Sequence, residues 1–135
     1  MAEYSVLLPI KPKYMAMIRE GVKKYEIRKR LWTVNVKRIF FYESAPVKKV
    51  TAYMEYKGHE ELPPSVLWAR YGGALGLTER EFLESFGEVK KLYCIPIEGV
   101  LCIDPPLELG DIGLKRAPQS FRYISDDDVD LEGVL

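Results

Sequence analysis

Lys23, Glu26 and Arg28 fall within one short stretch, Gly21-Val22-Lys23-Lys24-Tyr25-Glu26-Ile27-Arg28, and together supply the donors and the acceptor needed to hold a nucleotide. Lysine and arginine both donate to phosphate, and the planar guanidinium can grip an anion with two parallel hydrogen bonds. A carboxylate beside them can accept from the amino group of a base, and it can take up a proton if burial raises its pKa. For these groups to converge, the backbone must change character inside the octamer. Gly21 can adopt the left-handed conformation that closes a helix, after which Tyr25 and Ile27 alternate with Glu26 and Arg28 as in a strand with one apolar face. Lys23 sits at the joint, so the helix end rather than the strand pleat directs it. The same alternation also fits a solvated strand face, where a Glu26–Arg28 pair contributes about 0 to 1 kcal/mol.

Other chemistries lack their residues. His59 is the only histidine, and Cys94 and Cys102 are the only cysteines. Their spacing matches no metal-ligand pattern, so no metal and no cofactor are expected, and His59 reads as a loop residue. A Ser-His-Asp or Cys-His arrangement is missing for the same reason, and no phosphate-cradling P-loop is present.

Gly21, Lys23, Glu26 and Arg28 fill all four fixed positions of the G-x-K-x-x-E-x-R signature of ASCH domains, and the chain resembles that PUA-like family over most of residues 4–123. Leu8-Pro9-Ile10-Lys11-Pro12-Lys13-Tyr14, Tyr42-Glu43-Ser44-Ala45-Pro46 and Pro118-Gln119-Ser120-Phe121-Arg122 look like segments of small stand-alone archaeal members. The resemblance implies a protein that binds RNA, a nucleotide or a modified nucleoside. Its ligand-binding residues would be Lys23, Glu26 and Arg28, with Lys11, Ser120 and Arg122 completing the rim and Ser44 as a further candidate. The alternative it implies is a hydrolase acting on RNA (a ribonuclease) or on a modified nucleoside (an amidohydrolase), with Lys23 and Glu26 as the catalytic groups. One branch of the family hydrolyses acetylcytidine with a lysine, a threonine where this chain has Glu26, and a glutamate about where it has Gly73. Another cleaves RNA with a lysine matching Lys23 and a tyrosine that maps onto Met17. Trp32, Tyr42 and Tyr53 are candidates either to stack on a base or to fill the core.

The elements around the octamer follow from periodicity and breakers. Tyr4 to Ile10 reads as a buried strand, and Pro12 as the first turn of a helix running to Glu20 with Tyr14, Met17 and Ile18 inward. Lys37–Glu43 and Val50–Tyr56 read as neighbouring antiparallel strands, the first buried on both faces. Pro63-Pro64-Ser65 opens a helix carrying Val66, Leu67 and Trp68, stopped by Gly72-Gly73. Thr78 and Glu81 form a capping box for a second helix with Phe82, Leu83 and Phe86 inward. Tyr93–Ile97 and Val100–Ile103 are expected to form a hairpin around Glu98-Gly99. In that register Ile95 opposes Cys102 while Cys94 points to the other face, so both cysteines should be buried free thiols. A last short strand lies near Phe121–Ile124. The expected fold is α+β, a mixed and mostly antiparallel β-barrel with a helix after the first strand and a two-helix insertion.

A chain of 135 residues fits one domain, here residues 1–124, followed by an acidic tail at 125–135. The net charge of zero conceals segregation: residues 1–50 hold 12 Lys and Arg against 4 Asp and Glu, whereas residues 123–135 hold 5 acids and no base. A basic half suits an anionic partner, and the tail is expected either to fold across it or to stay solvated. No apolar run approaches the roughly 18 residues of a membrane span, and no secretory signal is visible. A cytoplasmic monomer with no membrane association is expected.

Overall fold

Tyr4–Ile10 is apolar almost throughout because it becomes β1, a strand flanked on both sides, with Val6, Leu7 and Leu8 fully buried. In the computed structural model, which describes residues 3–125, 133 and 135, the remaining elements follow in order. They are α1 (Pro12–Arg19), β2 (Tyr25–Arg28), β3 (Val36–Glu43), β4 (Lys49–Glu55), β5 (Glu60–Leu62), α2 (Pro64–Tyr71), α3 (Glu79–Phe86), β6 (Leu92–Pro96), β7 (Leu101–Leu107) and β8 (Arg122–Ser125). Single 3-10 turns occupy Gly72–Ala74 and Leu109–Ile112. The acidic residues 126–128, 130 and 132, and with them the expectation that the tail crosses the basic half, lie outside the described residues.

The chain divides into two compact units, one made of Met1–Met15, Thr33–Tyr56 and Gly99–Leu135, the other of Ala16–Trp32 and Lys57–Glu98. The first is built on a five-stranded sheet in the order β7-β4-β3-β1-β8. Only β1 and β3 pair parallel, with Leu7 beside Phe40; the β3–β4, β4–β7 and β1–β8 pairings are antiparallel. Ile39 to Tyr42 are all buried, as continuous apolar character in a central strand requires. On one face Leu7, Phe40, Tyr42, Val50, Ile103, Leu107 and Ile124 pack with Ile112 and Leu114 from the segment that covers them.

The second unit carries a three-stranded antiparallel sheet in the order β2-β6-β5, with a core of Ile27, Leu67, Leu75, Phe82, Leu92 and Cys94. The helical insertion has the expected start signals. Pro64 opens α2, and Thr78 caps α3: its hydroxyl accepts from the Glu81 N–H at 3.1 Å while the Glu81 carboxylate accepts from the Thr78 N–H at 2.9 Å.

The mixed α+β class, the helix after the first strand and the two-helix insertion match expectation. Four details differ. The strands form two separate sheets rather than one closed barrel. The expected β6–β7 hairpin is absent because β6 ends at Pro96, which has no N–H to continue a ladder, and β7 pairs instead with β4, placing Cys102 opposite Ala52. Cys94 is buried as expected but Cys102 is exposed, since β7 is an edge strand. Helix faces also rotate slightly: Met15 and Ile18 are the buried residues of α1, and Leu83 is 55% exposed because Phe82 and Phe86 already fill the inward face of α3.

Candidate functional site

The octamer is held at both of its ends. Behind α1, Gly21 takes φ +76 and its N–H donates to the Ile18 carbonyl at 3.1 Å. The next two N–H groups, of Val22 and Lys23, both donate to the Met17 carbonyl at 2.9 and 3.1 Å. These bonds satisfy the last carbonyls of the helix and fix where Lys23 leaves the backbone. Lys24 then locks the strand start: its N–H donates to the Ala74 carbonyl at 2.8 Å and its carbonyl accepts from the Ile97 N–H at 2.9 Å. In β2, Tyr25 and Ile27 pack into the core of the second unit. Glu26 and Arg28 take the opposite face, paired across to Ile95 and Tyr93 of β6.

The three signature side chains do not form a wet strand face. Lys23 is only 5% exposed and Glu26 15%, and Arg28 is half-buried. The Lys23 amine donates to the Leu75 carbonyl at 2.8 Å and stands 3.8 Å from Glu26 Oε1, which also accepts from the Ile27 N–H at 3.1 Å. Burial pushes the Lys23 amine below the ordinary lysine range, an effect that Glu26 and then Cys94 partly oppose. Burial likewise lowers Arg28 against the opposing pull of Glu26. An amine, a guanidinium and a carboxylate thus meet within one unit, withdrawn from water, where charge-assisted hydrogen bonds to a ligand are strongest.

Lys11, Ser44, Ser120 and Arg122 all belong to the first unit, at one end of its sheet. Lys11 is exposed between β1 and α1. The Ser44 N–H and hydroxyl both donate to the Ile10 carbonyl, at 2.9 and 3.4 Å. Arg122 pairs with Leu7, and Ser120 precedes it in the direction of Lys11. Arg122 also lines a recess of about 120 Å³ with Ile112, Leu114, Tyr123 and Ile124. The aromatic candidates are core: Trp32 and Tyr42 are buried, and Tyr53 stacks on Phe40 at 5.7 Å. His59 is a loop residue as expected, immediately before β5, with its ring edge-on to Tyr93.

Sequence reasoning missed another polar cluster in the second unit. Glu60 accepts from the Tyr71 phenol and lies 3.5 Å from Arg70, while Tyr71 packs against Tyr25 with ring centres 4.2 Å apart. Burial and then Glu60 push the Cys94 thiol up to about 12, against the opposing pull of Lys23. The only available signal was the Glu60-Glu61 pair after Gly58, which gave no hint of a strand.

Neither a family model nor a curated protein matches the chain. Solved structures do. Over 92% of its length it is similar to the crystal structure of ASCH from Zymomonas mobilis, covering 90% of that chain at 22% identity with a TM-score of 0.80. Two single-substitution variants of that Zymomonas protein match at 22% identity with TM-scores of 0.77 and 0.76, over 88% of this chain and 88% and 87% of theirs.

Proposed function

We propose that this chain, whose fold is that of the ASCH proteins, is a PUA-like module that binds RNA or a nucleotide through Lys23, Glu26 and Arg28. The observation that supports this reading most is the burial of the Lys23–Glu26 pair beside Arg28. Withdrawing three charges from water costs folding energy, and a protein that needed only a solvated sheet face would have no reason to do so. The phosphate and base edge of a nucleotide match the donors and the acceptor on offer. Lys11, Ser120 and Arg122, within the first unit, are likewise proposed as ligand-binding residues, and the surplus of bases in residues 1–50 as the source of long-range attraction. The proposed setting is a cytoplasmic monomer; among the described residues no helix is long and apolar enough to cross a membrane.

A second reading, hydrolysis of RNA or of a modified nucleoside, is favoured by one observation: burial lowers the Lys23 pKa, which makes a neutral amine more accessible as a base or nucleophile. A binding series tests the nucleic-acid reading. Filter binding of short single-stranded RNA from low to physiological salt should show affinity that falls steeply as phosphate contacts are screened. Affinity absent at low salt, or flat across the series, contradicts it.

A further inference from the structure

Three glycines punctuate the connection between α2 and α3, and the structure distinguishes them. Gly73 has open space around it, with nothing within 4 Å of a Cβ added there. Gly76 is in the left-handed region at φ +77, and an added Cβ would lie 2.8 Å from Met17 Sδ and 3.6 Å from the Lys23 Cβ. The two residues before it face the signature. The Ala74 carbonyl accepts from the Lys24 N–H and the Leu75 carbonyl accepts from the Lys23 amine, both at 2.8 Å. The Leu75 side chain is fully buried among Ile27, Leu67, Phe82, Leu92 and Cys94, which anchors the peptide whose oxygen meets the amine. Met17 closes the circuit: its carbonyl holds the N–H groups of Val22 and Lys23 while its sulfur packs where a Gly76 side chain would be.

We infer that the Ala74-Leu75-Gly76 turn is the positioning element of the Lys23 amine, and that Gly76 is a positioning residue for ligand binding although it offers no side chain to a ligand. The inference rests on the Lys23 site proposed above. A flexible lysine stem samples many rotamers, and a buried carbonyl acceptor selects one of them before any ligand arrives. Any side chain at position 76 strains a left-handed backbone and displaces the Met17 thioether, while meeting Lys23 only at ordinary contact distance; relief of that strain moves the turn, so the carbonyl and the amine separate.

The test compares Gly76→Ala with Gly73→Ala, reading the Lys23 titration midpoint by NMR in ligand-free protein and the affinity for a short single-stranded RNA. Gly76→Ala is expected to move the midpoint and to weaken RNA binding about tenfold or more, the scale of one misplaced charged hydrogen bond. Gly73→Ala should leave both unchanged. A folded Gly76→Ala protein with the wild-type midpoint and affinity overturns the inference. If Gly76→Ala does not fold, an amide-to-ester replacement between Leu75 and Gly76 decides, because it adds no side-chain atom and weakens the Leu75 carbonyl as acceptor, with the Gly76 N–H the one donor lost. The midpoint should then fall further, as the charged amine loses part of its acceptor, and an unchanged midpoint overturns the inference. The midpoint needs no ligand, so wild-type protein that fails to bind RNA removes the binding proposal while the positioning claim is still decided by titration.

Discussion

The Lys23 amine and the Glu26 carboxylate stand 3.8 Å apart with 5% and 15% of their side chains exposed, and a main-chain carbonyl completes the grip on the amine at 2.8 Å. A buried ion pair of this kind rarely adds net stability, because desolvation offsets most of the attraction. That cost is the ground for the binding proposal, and its consequences can be measured.

The lowered Lys23 pKa ties stability to pH with a definite sign. In the unfolded chain the amine titrates near 10.5, and in the folded protein burial makes it lose its proton sooner. Between those two values the unfolded state binds more protons, so stability rises with pH through the window beneath 10.5 and stops rising above it. Urea unfolding of wild type and Lys23→Met across this range should give a stability difference that shifts in favour of wild type as pH increases. A difference that stays flat would mean the amine is not desolvated.

The two thiols should behave oppositely. Cys102 is exposed on the edge strand β7, whereas Cys94 is buried and its thiol is pushed up to about 12. At mildly alkaline pH a thiol reagent is expected to label one cysteine per chain quickly and the second only after denaturation. Two fast reactions would contradict the packing of β6 between β2 and β5.

Thr78 offers a test of the insertion alone. Thr78→Ala removes the hydroxyl that accepts from Glu81, at a cost of about 1 kcal/mol. Calorimetry should show a lower Tm with RNA affinity changed little, since the cap lies at the exposed start of α3. A large loss of affinity would mean that α3 takes part in the site.

What the sequence made legible was local: Gly21 as a helix stop, Pro64 and the Thr78–Glu81 box as helix starts, and the alternation that sends Tyr25 and Ile27 inward. Lys23 could be placed at the joint but not buried, because its burial comes from Leu75 and Met17, one of them 52 residues away. The hairpin expectation failed for a related reason. Glu98-Gly99 between two apolar runs looks like a tight turn, yet strand partners are chosen by what each strand can cover, and β6 found β2 and β5 while β7 found β4. Gly76 was equally silent, since its constraint lies in a carbonyl it helps to aim.

The most direct test of a binding site built on the signature is Glu26→Gln, which keeps shape and most hydrogen bonding while removing charge and basicity. Wild type and variant would be incubated with short single-stranded RNA and with a panel of acylated nucleosides, with bound ligand and product followed in parallel. The account predicts that wild type binds RNA and forms no product over long incubation, and that Glu26→Gln shifts affinity by about 1 to 3 kcal/mol. Product formed by wild type and lost by about a hundredfold or more in Glu26→Gln, with binding intact, would contradict it and make the chain a hydrolase.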